Sequence, residues 1–190
     1  MSVSLALAGS AGEDTETSAD SPAKVVHFER SQNLAATNPL GCVDANTVTT
    51  QSTAADIASG VKACLEQGDY ERLGPLLMVA SAYARYDTLR VTDTTAHAAL
   101  TTLFADRFAD ASETQVQQVL QAVDEFQNDP DRHQEVCKLL GSLGPPEYRP
   151  DYMIAHGIEA FLEDSTKRPV REIDSDAGWR TALEFVNCEH

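Results

Sequence analysis

Residues 63–83, ACLEQGDYERLGPLLMVASAY, carry the clearest information about how this chain folds. Apolar residues recur there at three- and four-residue spacing, which is the period of a helix face that packs on a core. Gly68 interrupts the pattern, because glycine readily adopts the left-handed conformation that ends a helix. Asp69 then offers an N-cap for a following helix. The stretch therefore predicts two helices joined by a tight turn, an αα-hairpin.

Flanking residues set the limits of the two hairpin helices. Thr53 is a suitable N-cap for the first helix, which is predicted over residues 54–67. The second helix follows Asp69, and Pro75 either kinks it or lies in its first turn if the helix begins later. No second copy of the hairpin follows at a fixed period, so we do not predict a repeat protein.

Further helices are predicted downstream from the same spacing of apolar residues. They cover residues 94–108, 113–127 and 131–142, a segment that starts at Pro150, and a short stretch around residues 179–186. No run alternates apolar and polar residues for long enough to make a strand. We therefore predict an all-α fold, an irregular bundle of about six helices that contains the αα-hairpin.

Composition divides the chain into three parts. Residues 1–40 are rich in Ser, Thr, Ala, Asp and Glu and hold few large apolar side chains, so we predict a disordered or loosely docked arm. Residues 41–165 are predicted to form the helical domain, because a chain of this length can bury a self-supporting core. Residues 166–190 are predicted to be an extension that packs back on this domain.

The first residues, MSVSLALAGSAG, have two interpretations that stay open. They resemble the second half of a secretory signal peptide, but no basic segment precedes them. Either the true start lies upstream and Met1 is internal, or the segment is an ordinary flexible tail.

Four cysteines, Cys42, Cys64, Cys137 and Cys188, are spread widely and show no CxxC spacing. We predict two disulfides in an oxidising compartment, and four buried thiols in a cytosolic protein are the alternative. Three pairings are open. Since Cys64 and Cys137 lie on predicted helices and the other two flank the domain, we expect the inner two to pair and the outer two to pair.

The charge balance narrows the class of partner. The chain holds 30 acidic and 14 basic side chains, a net charge of −16. Such a charge repels phosphate backbones and anionic lipids, so it argues against nucleic acid and favours a basic protein. The alternative is that an acidic surface only maintains solubility. No window approaches the roughly 18 to 20 apolar residues that span a bilayer.

Acidic side chains are concentrated in two segments. Residues 106–135 hold eight acidic and two basic side chains, and residues 163–176 form a second anionic patch. Within the first segment, seven carboxylates are the candidate partner-binding residues: Asp106, Asp110, Glu113, Asp124, Glu125, Asp129 and Asp131.

A cluster of polar residues overlaps the end of the hairpin and the helix predicted after it. If residues 83–104 formed one unbroken helix, a single stripe would hold Tyr86, Arg90, Asp93 and His97. An aspartate beside a histidine can orient an imidazole for base catalysis. We favour a structural alternative, an Arg–Asp ion pair with a helix cap, because no nucleophile lies nearby in the sequence.

His156 belongs to a second dense stretch, PPEYRPDYMIAHG, residues 145–157. The first two prolines end one helix, Pro150 begins another, and Tyr148 anchors the corner between them. Gly157 falls within the apolar face of the new helix, where its missing side chain permits close helix approach. We predict that His156 is a buried or half-buried hydrogen-bonding residue rather than a catalyst.

Motifs typical of metal, nucleotide and hydrolase sites are absent from the sequence. The five histidines show no HxH, HxxxH or HExxH spacing. GxGxxG, GxxxxGK[ST] and GxSxG are also absent. We therefore predict no catalytic residues, no metal site and no cofactor.

Three blocks of the sequence resemble a group of small helical bacterial envelope proteins. The blocks are ACLEQGDYERLGPLLMVASAYARYDTLRVTDTTAHAAL (63–100), the helix that carries Cys137, and LGPPEYRPDYMIAHGIEAF (143–161). The group includes immunity proteins that neutralise antibacterial effectors of type IV or type VI secretion systems. The resemblance covers residues 42–162. It implies a periplasmic, non-enzymatic inhibitor that binds its cognate toxin.

Two other functions remain alternatives. A helical adaptor or chaperone would hold a peptide in the groove of the αα-hairpin. An enzyme would be centred on Asp93, His97 and His156.

Overall fold

The computed structural model describes residues 33–161 and 170–188. In these two segments the secondary structure consists of seven α-helices and four short 3₁₀ turns, without a strand, so the predicted all-α fold is confirmed. The helices are α1 Ala54–Gln67, α2 Leu73–Arg90, α3 Ala99–Arg107, α4 Glu113–Gln127, α5 Pro130–Leu143, α6 Asp151–Ile154 and α7 Ser175–Phe185.

Helix α1 begins and ends where the local sequence predicts. The Thr53 hydroxyl accepts a hydrogen bond from the Asp56 amide, and the Asp56 carboxylate accepts one from the Thr53 amide, which forms a capping box. Gly68 ends the helix in the left-handed conformation, with φ of 71°. The turn then leads into α2, so the αα-hairpin is confirmed.

Helix α2 is the central element of the domain. It begins at Leu73, after a 3₁₀ turn over Tyr70–Arg72, and therefore starts later than Asp69. Pro75 lies in its first turn, where the missing amide proton costs nothing. Helices α1, α4, α5 and α7 all pack against α2. A Cβ on Gly74 would come within 2.5 Å of Phe126, so α4 approaches α2 closely at this point.

The chain between α2 and α4 is less regular than the spacing predicts. Helix α2 ends at Arg90, and a 3₁₀ turn over Thr94–Ala98 precedes α3. Residues 83–104 therefore do not form one unbroken helix, and the helix predicted over 94–108 is an α-helix only over Ala99–Arg107. The helix predicted over 113–127 is confirmed as α4, and α5 extends the predicted 131–142 by one residue at each end.

The helix predicted to continue from Pro150 is short. Helix α6 ends at Ile154, and a separate 3₁₀ turn spans Ile158–Phe161. The side chain of Asp93 accepts a hydrogen bond from the Glu159 amide at 2.9 Å, so this amide is not bonded within a helix that continues from α6. Gly157 lies against the same carboxylate, and a Cβ there would come within 2.2 Å of it.

Both predicted disulfides are present, but the expected pairing is wrong. Cys42 pairs with Cys64, and Cys137 pairs with Cys188. The order of the cysteines along the chain does not predict their pairing. The segment before α1 lies against α1, and the segment after α7 lies against α5.

The first pairing follows from the path of residues 38–42. The Asn38 and Leu40 amides donate to Asp56, at its carboxylate and its carbonyl. Gly41 then passes Gly60 so closely that a Cβ on Gly60 would come within 2.9 Å of its carbonyl oxygen. The segment thus follows α1 towards its C-terminus and carries Cys42 to Cys64. Part of the region predicted as an arm therefore belongs to the domain.

The second pairing follows from the docking of α7. Trp179 makes edge-on ring contacts with Tyr83 and Tyr86 of α2, at centroid distances of 5.8 and 6.1 Å. The end of α7 then meets α5, where a ring nitrogen of His133 bonds the carbonyl oxygen of Val186 at 3.1 Å. Residues 170–188 of the C-terminal extension therefore pack on the domain.

Candidate protein-binding surface

A fully buried carboxylate lies in the last turn of α2. Asp87 is 0% exposed, and its carboxylate accepts hydrogen bonds from the hydroxyls of Tyr148 and Tyr152 at 2.8 and 2.9 Å. Arg90 forms an ion pair with the other carboxylate oxygen. Burial raises the pKa of the Asp87 carboxyl, and the charge of Arg90 opposes this rise. All three partners are provided by the protein itself.

This cluster holds the corner PPEYRPDY (145–152) on α2. Arg90 donates to the Tyr148 carbonyl at 3.0 Å and lies over the rings of Tyr86 and Tyr148. Burial raises the pKa of both tyrosine hydroxyls bonded to Asp87 well above the ordinary value, so they stay protonated as donors. The arrangement is an Arg–Asp ion pair of the predicted kind, although its carboxylate is Asp87 and its role is structural.

The histidine and aspartate considered for catalysis do not form a pair. Asp93 caps the 3₁₀ turn by accepting from the Thr95 amide at 3.0 Å. Nε2 of His97 donates a hydrogen bond to the carbonyl oxygen of Val91 at 2.9 Å. The break after Arg90 therefore separates the residues that an unbroken helix would have aligned.

His156 is half-buried and forms its hydrogen bonds with other groups. Its Nδ1 bonds Asn33 Oδ1 at 2.9 Å, and its Nε2 lies 3.4 Å from the Thr102 hydroxyl. Burial lowers its pKa. The hydroxyl of Thr102, the imidazole of His156 and the side-chain amide of Asn33 follow one another like the groups of a nucleophilic triad. However, the Thr102 hydroxyl has one proton and donates it to the Ala98 carbonyl at 3.2 Å, so it does not donate to His156.

These contacts give His156 a tethering role. The Leu34 amide donates to the Tyr152 carbonyl at 3.2 Å, directly beside the Asn33 contact. Together the two bonds attach residues 33–34 to the segment around α6. The prediction of a half-buried hydrogen-bonding histidine is confirmed.

The described residues contain neither a cluster of metal ligands nor a helix that could span a membrane. In residues 33–161 and 170–188, no group of three or more His, Cys, Asp or Glu side chains is placed to hold a metal ion. None of the helices in these segments is both long and apolar enough to cross a membrane.

The seven candidate carboxylates lie along α4 and at its two ends. One group, at the end of α3 and the start of α4, consists of Asp106, Asp110 and Glu113. The other group, from the last turn of α4 into α5, consists of Asp124, Glu125, Asp129 and Asp131. Eleven residues of helix, or about 16 Å, separate Glu113 from Asp124. We call the seven residues the acidic face; the structure places them on one connected stretch, not in one cluster.

Some of these carboxylates stabilise the fold. Asp106 pairs with Arg107, and Asp129 caps α5 by accepting from two backbone amides. Glu113 and Asp131 lie in the first turns of α4 and α5, where negative charge interacts favourably with the helix dipole.

Asp124 and Glu125, by contrast, interact unfavourably with the dipole of their helix. They lie in the last turn of α4, which carries no basic residue to compensate them. Negative charge there is unfavourable by about 0.3–1 kcal/mol. Neither forms an ion pair among the described residues, and Glu125 only accepts a hydrogen bond from Gln121. Helix stability therefore does not explain these two carboxylates.

Exposed apolar side chains lie on the same helix. Val119 and Phe126 are buried, whereas Leu120 is 59% exposed and Val116 is also exposed. With the partly buried Val123, they form one line at spacings of four and three residues. We call Val116, Leu120 and Val123 the α4 stripe.

The α4 stripe runs into a groove of about 650 Å³. Helix α2 contributes Leu77, Met78 and Ser81, while α4 contributes Val123 and Phe126. The start of α5 and the end of α7 complete the walls with Pro130, His133, Phe185 and Val186. Phe185 is 58% exposed, so a large aromatic ring stands open at the rim.

No protein-family model, curated protein or solved structure matches this chain. The candidate surface is therefore defined by its own geometry: the acidic face, the α4 stripe and the groove.

The apolar part of this surface was not predicted from the sequence. Periodicity assigns all five apolar residues of α4 to one inward face, yet only two of them are buried. The width of the pattern was the available signal, because residues 116, 119, 120, 123 and 126 cover more of the helix than one neighbouring helix contacts. The groove gave no such signal, since its walls come from four separate elements.

Proposed function

We propose that this chain is a non-enzymatic immunity protein that neutralises a cognate antibacterial toxin by covering its functional surface. The observation that carries the proposal is the combination on α4 of uncompensated carboxylates and exposed apolar side chains. Neither feature serves the stability of the helix. Both are typical of a surface that a protein partner covers.

The charge of the chain indicates the kind of toxin. A net charge of −16 and the acidic face attract a basic protein, such as a cell-wall hydrolase or a nuclease. Electrostatic complementarity of this kind raises the association rate and excludes partners of the same charge.

The disulfides bear on the compartment. Two disulfides are compatible with an oxidising environment, which supports placing the protein in the periplasm. An inhibitor that met its toxin there would neutralise it before the toxin reached its substrate.

Protection of living cells tests the proposal directly. The chain would be exported in a sensitive bacterium together with each effector encoded beside its gene, while growth and complex formation are measured. We expect one basic effector to be neutralised and to form a stable complex. Failure to bind or protect against every neighbouring effector would exclude the proposed function.

A pair of double variants locates the surface. Asp124→Asn/Glu125→Gln should raise the dissociation constant for the effector at least about tenfold. Glu172→Gln/Asp176→Asn removes the same number of charges from exposed positions outside the acidic face and should have little effect. Equal weakening by both variants would mean that net charge, and not this face, governs binding.

The groove supports a second candidate function, a helical adaptor that holds a peptide. Its apolar lining and the exposed Phe185 suit an extended or helical segment. An adaptor of this kind should bind unfolded segments of many sequences with little dependence on salt, whereas an immunity protein should bind one folded effector.

A further inference from the structure

The groove continues the α4 stripe into a single apolar surface. Leu77 and Ser81 of α2 line the groove together with Val123 of α4 and Phe185 of α7. Leu120 extends the apolar surface one turn further along α4. The described residues leave Leu120 and Phe185 more than half exposed, so the core of the domain does not account for either side chain.

The dimensions of this surface match two turns of a helix. Gly74 to Ser81 on α2 and Val116 to Val123 on α4 are each eight residues long, with their ends about 10 Å apart along the helix. A helix presents apolar side chains at positions i, i+3 or i+4, and i+7 over the same length. The groove volume of about 650 Å³ lies within the range of sites that enclose a ligand.

Four exposed carboxylates are chain neighbours of residues that line the groove, and we call these four the acidic rim. They are Asp124, Glu125, Asp131 and Glu184. None of these four forms an ion pair within the described part of the chain. Two guanidinium groups are also near, but they lie over aromatic rings of the groove: Arg85 over Phe185 and Arg132 over Phe126. The four carboxylates of the acidic rim outnumber these two guanidinium groups, so the segments that form the groove carry an excess of negative charge that favours a cationic ligand.

We infer that the groove and the α4 stripe bind a cationic amphipathic helix, whose apolar face fills the groove and whose Lys or Arg residues meet the acidic rim. This inference rests on the proposed function in one respect: the helix belongs to the toxin. A second copy of the chain would bring the same acidic rim and be repelled. Residues 1–32 hold five acidic and two basic side chains, so their charge also disfavours them as the occupant.

Three designed peptides test the inference with the full, disulfide-bonded chain. The probe is a labelled peptide of about 14 residues with Leu at the i, i+3/i+4 and i+7 positions and Lys elsewhere. One control replaces Lys by Glu, and the other keeps the composition but alternates Leu and Lys. Fluorescence anisotropy at moderate salt should give the probe a dissociation constant at least about tenfold lower than that of either control.

Variants of exposed apolar residues show whether binding occurs at this surface. Leu120→Ser and Phe185→Ser should each weaken probe binding about fivefold or more, and their exposure lets the fold persist. Ile158→Ser is the matched control, because Ile158 is 62% exposed and lies outside the groove and the stripe. Circular dichroism checks the fold of each variant. Equal weakening by Ile158→Ser, or equal binding of the alternating peptide, would overturn the inference.

Two further outcomes are distinguishable. If sedimentation shows a dimer that Leu120→Ser converts to a monomer, the surface binds a second copy and the inference is wrong. The peptide assay contains no toxin, so selective probe binding without protection of cells would remove the proposed function alone. Protection without selective probe binding would remove this inference alone.

Discussion

Asp87 is buried in α2, yet its carboxylate binds two tyrosines that lie 61 and 65 residues later in the chain. A buried carboxylate is costly unless its lone pairs are satisfied. Tyr148, Tyr152 and Arg90 supply the donors, and in return the corner before α6 is fastened to the centre of the domain. The dense stretch around Tyr148 is therefore a structural anchor.

Removing one of these hydroxyls should destabilise the protein. Tyr152→Phe leaves the Asp87 carboxylate with one donor fewer, and we expect the free energy of unfolding to fall by about 1–3 kcal/mol. Urea denaturation measures the change. Tyr70→Phe is the control, because the Tyr70 hydroxyl has no hydrogen bond to the described residues and its removal should change stability by less than about 0.5 kcal/mol. Equal losses from both variants would contradict the role given to Asp87.

The lowered pKa of His156 predicts that the stability of the protein depends on pH. Burial lowers its pKa in the folded protein, so the unfolded chain binds the proton more tightly. The stabilising contribution of the neutral ring is therefore complete above the unfolded pKa of about 6.5 and is lost as the pH falls through the lowered folded pKa. His156→Gln should lose less stability than the wild type between about pH 7 and pH 5. Denaturation curves across this range test the difference; identical pH slopes would refute it.

The path between α6 and the following 3₁₀ turn depends on one glycine. Gly157 lies so close to Asp93 that an added Cβ would come within 2.2 Å of the carboxylate, and within 3.1 Å of Ala96. Gly157→Ala should therefore lower the free energy of unfolding by about 1–3 kcal/mol.

A second glycine provides the control for this change. Gly141 lies in α5 with no atom within 4 Å of an added Cβ. Gly141→Ala should raise the free energy of unfolding by about 0.5–1 kcal/mol, because alanine reduces the entropy lost on helix formation. Chemical denaturation of both variants tests the contrast, and a stable Gly157→Ala variant would show that Asp93 can move away.

The two disulfides join different elements and should contribute different amounts to the free energy of unfolding. The Cys42–Cys64 bond spans 22 residues, and the Cys137–Cys188 bond spans 51. In the chain-entropy model, replacing each pair by serine should cost about 3 and about 4 kcal/mol respectively. Denaturation of the two double variants gives the order. Peptide mapping without reductant checks the pairing itself, and a Cys64–Cys137 peptide would contradict it.

The charge of the whole molecule should control how quickly it meets its partner. Under the proposed function, a chain with net charge −16 is attracted to a basic toxin over distances that salt shortens. The association rate should therefore fall by about tenfold or more between low and high ionic strength, while the dissociation rate changes less. Stopped-flow or surface plasmon resonance measurements separate the two rates. An association rate independent of salt would argue against electrostatic recognition.

The elements that the sequence predicted correctly are those with local signals at both ends. Helix α1 has the Thr53 cap and Gly68, while α4 begins with a capping box between Ser112 and Gln115. Each signal acts within four residues, so it is readable without knowledge of the fold. The all-α class follows from several such helices.

The elements that the sequence predicted wrongly depend on distant contacts. The helix after Pro150 does not continue to Glu159, whose amide donates a hydrogen bond to Asp93, 66 residues earlier in the chain. The candidate surface likewise has one part that local sequence predicts and one part that depends on the tertiary structure. Its carboxylates are visible in the composition, whereas the α4 stripe is exposed only because no other described element covers it.

The positions of α1, α4 and α5, the αα-hairpin, the acidic segment and the supply of cysteines for two disulfides were readable from the chain alone, because they depend on neighbours in sequence and on composition. The tertiary structure decided which cysteines pair, which carboxylate binds Arg90, and where a groove opens between α2, α4, α5 and α7. The physical reason is that these features require residues far apart in the chain to meet, and their meeting is set by the packing of whole helices around α2.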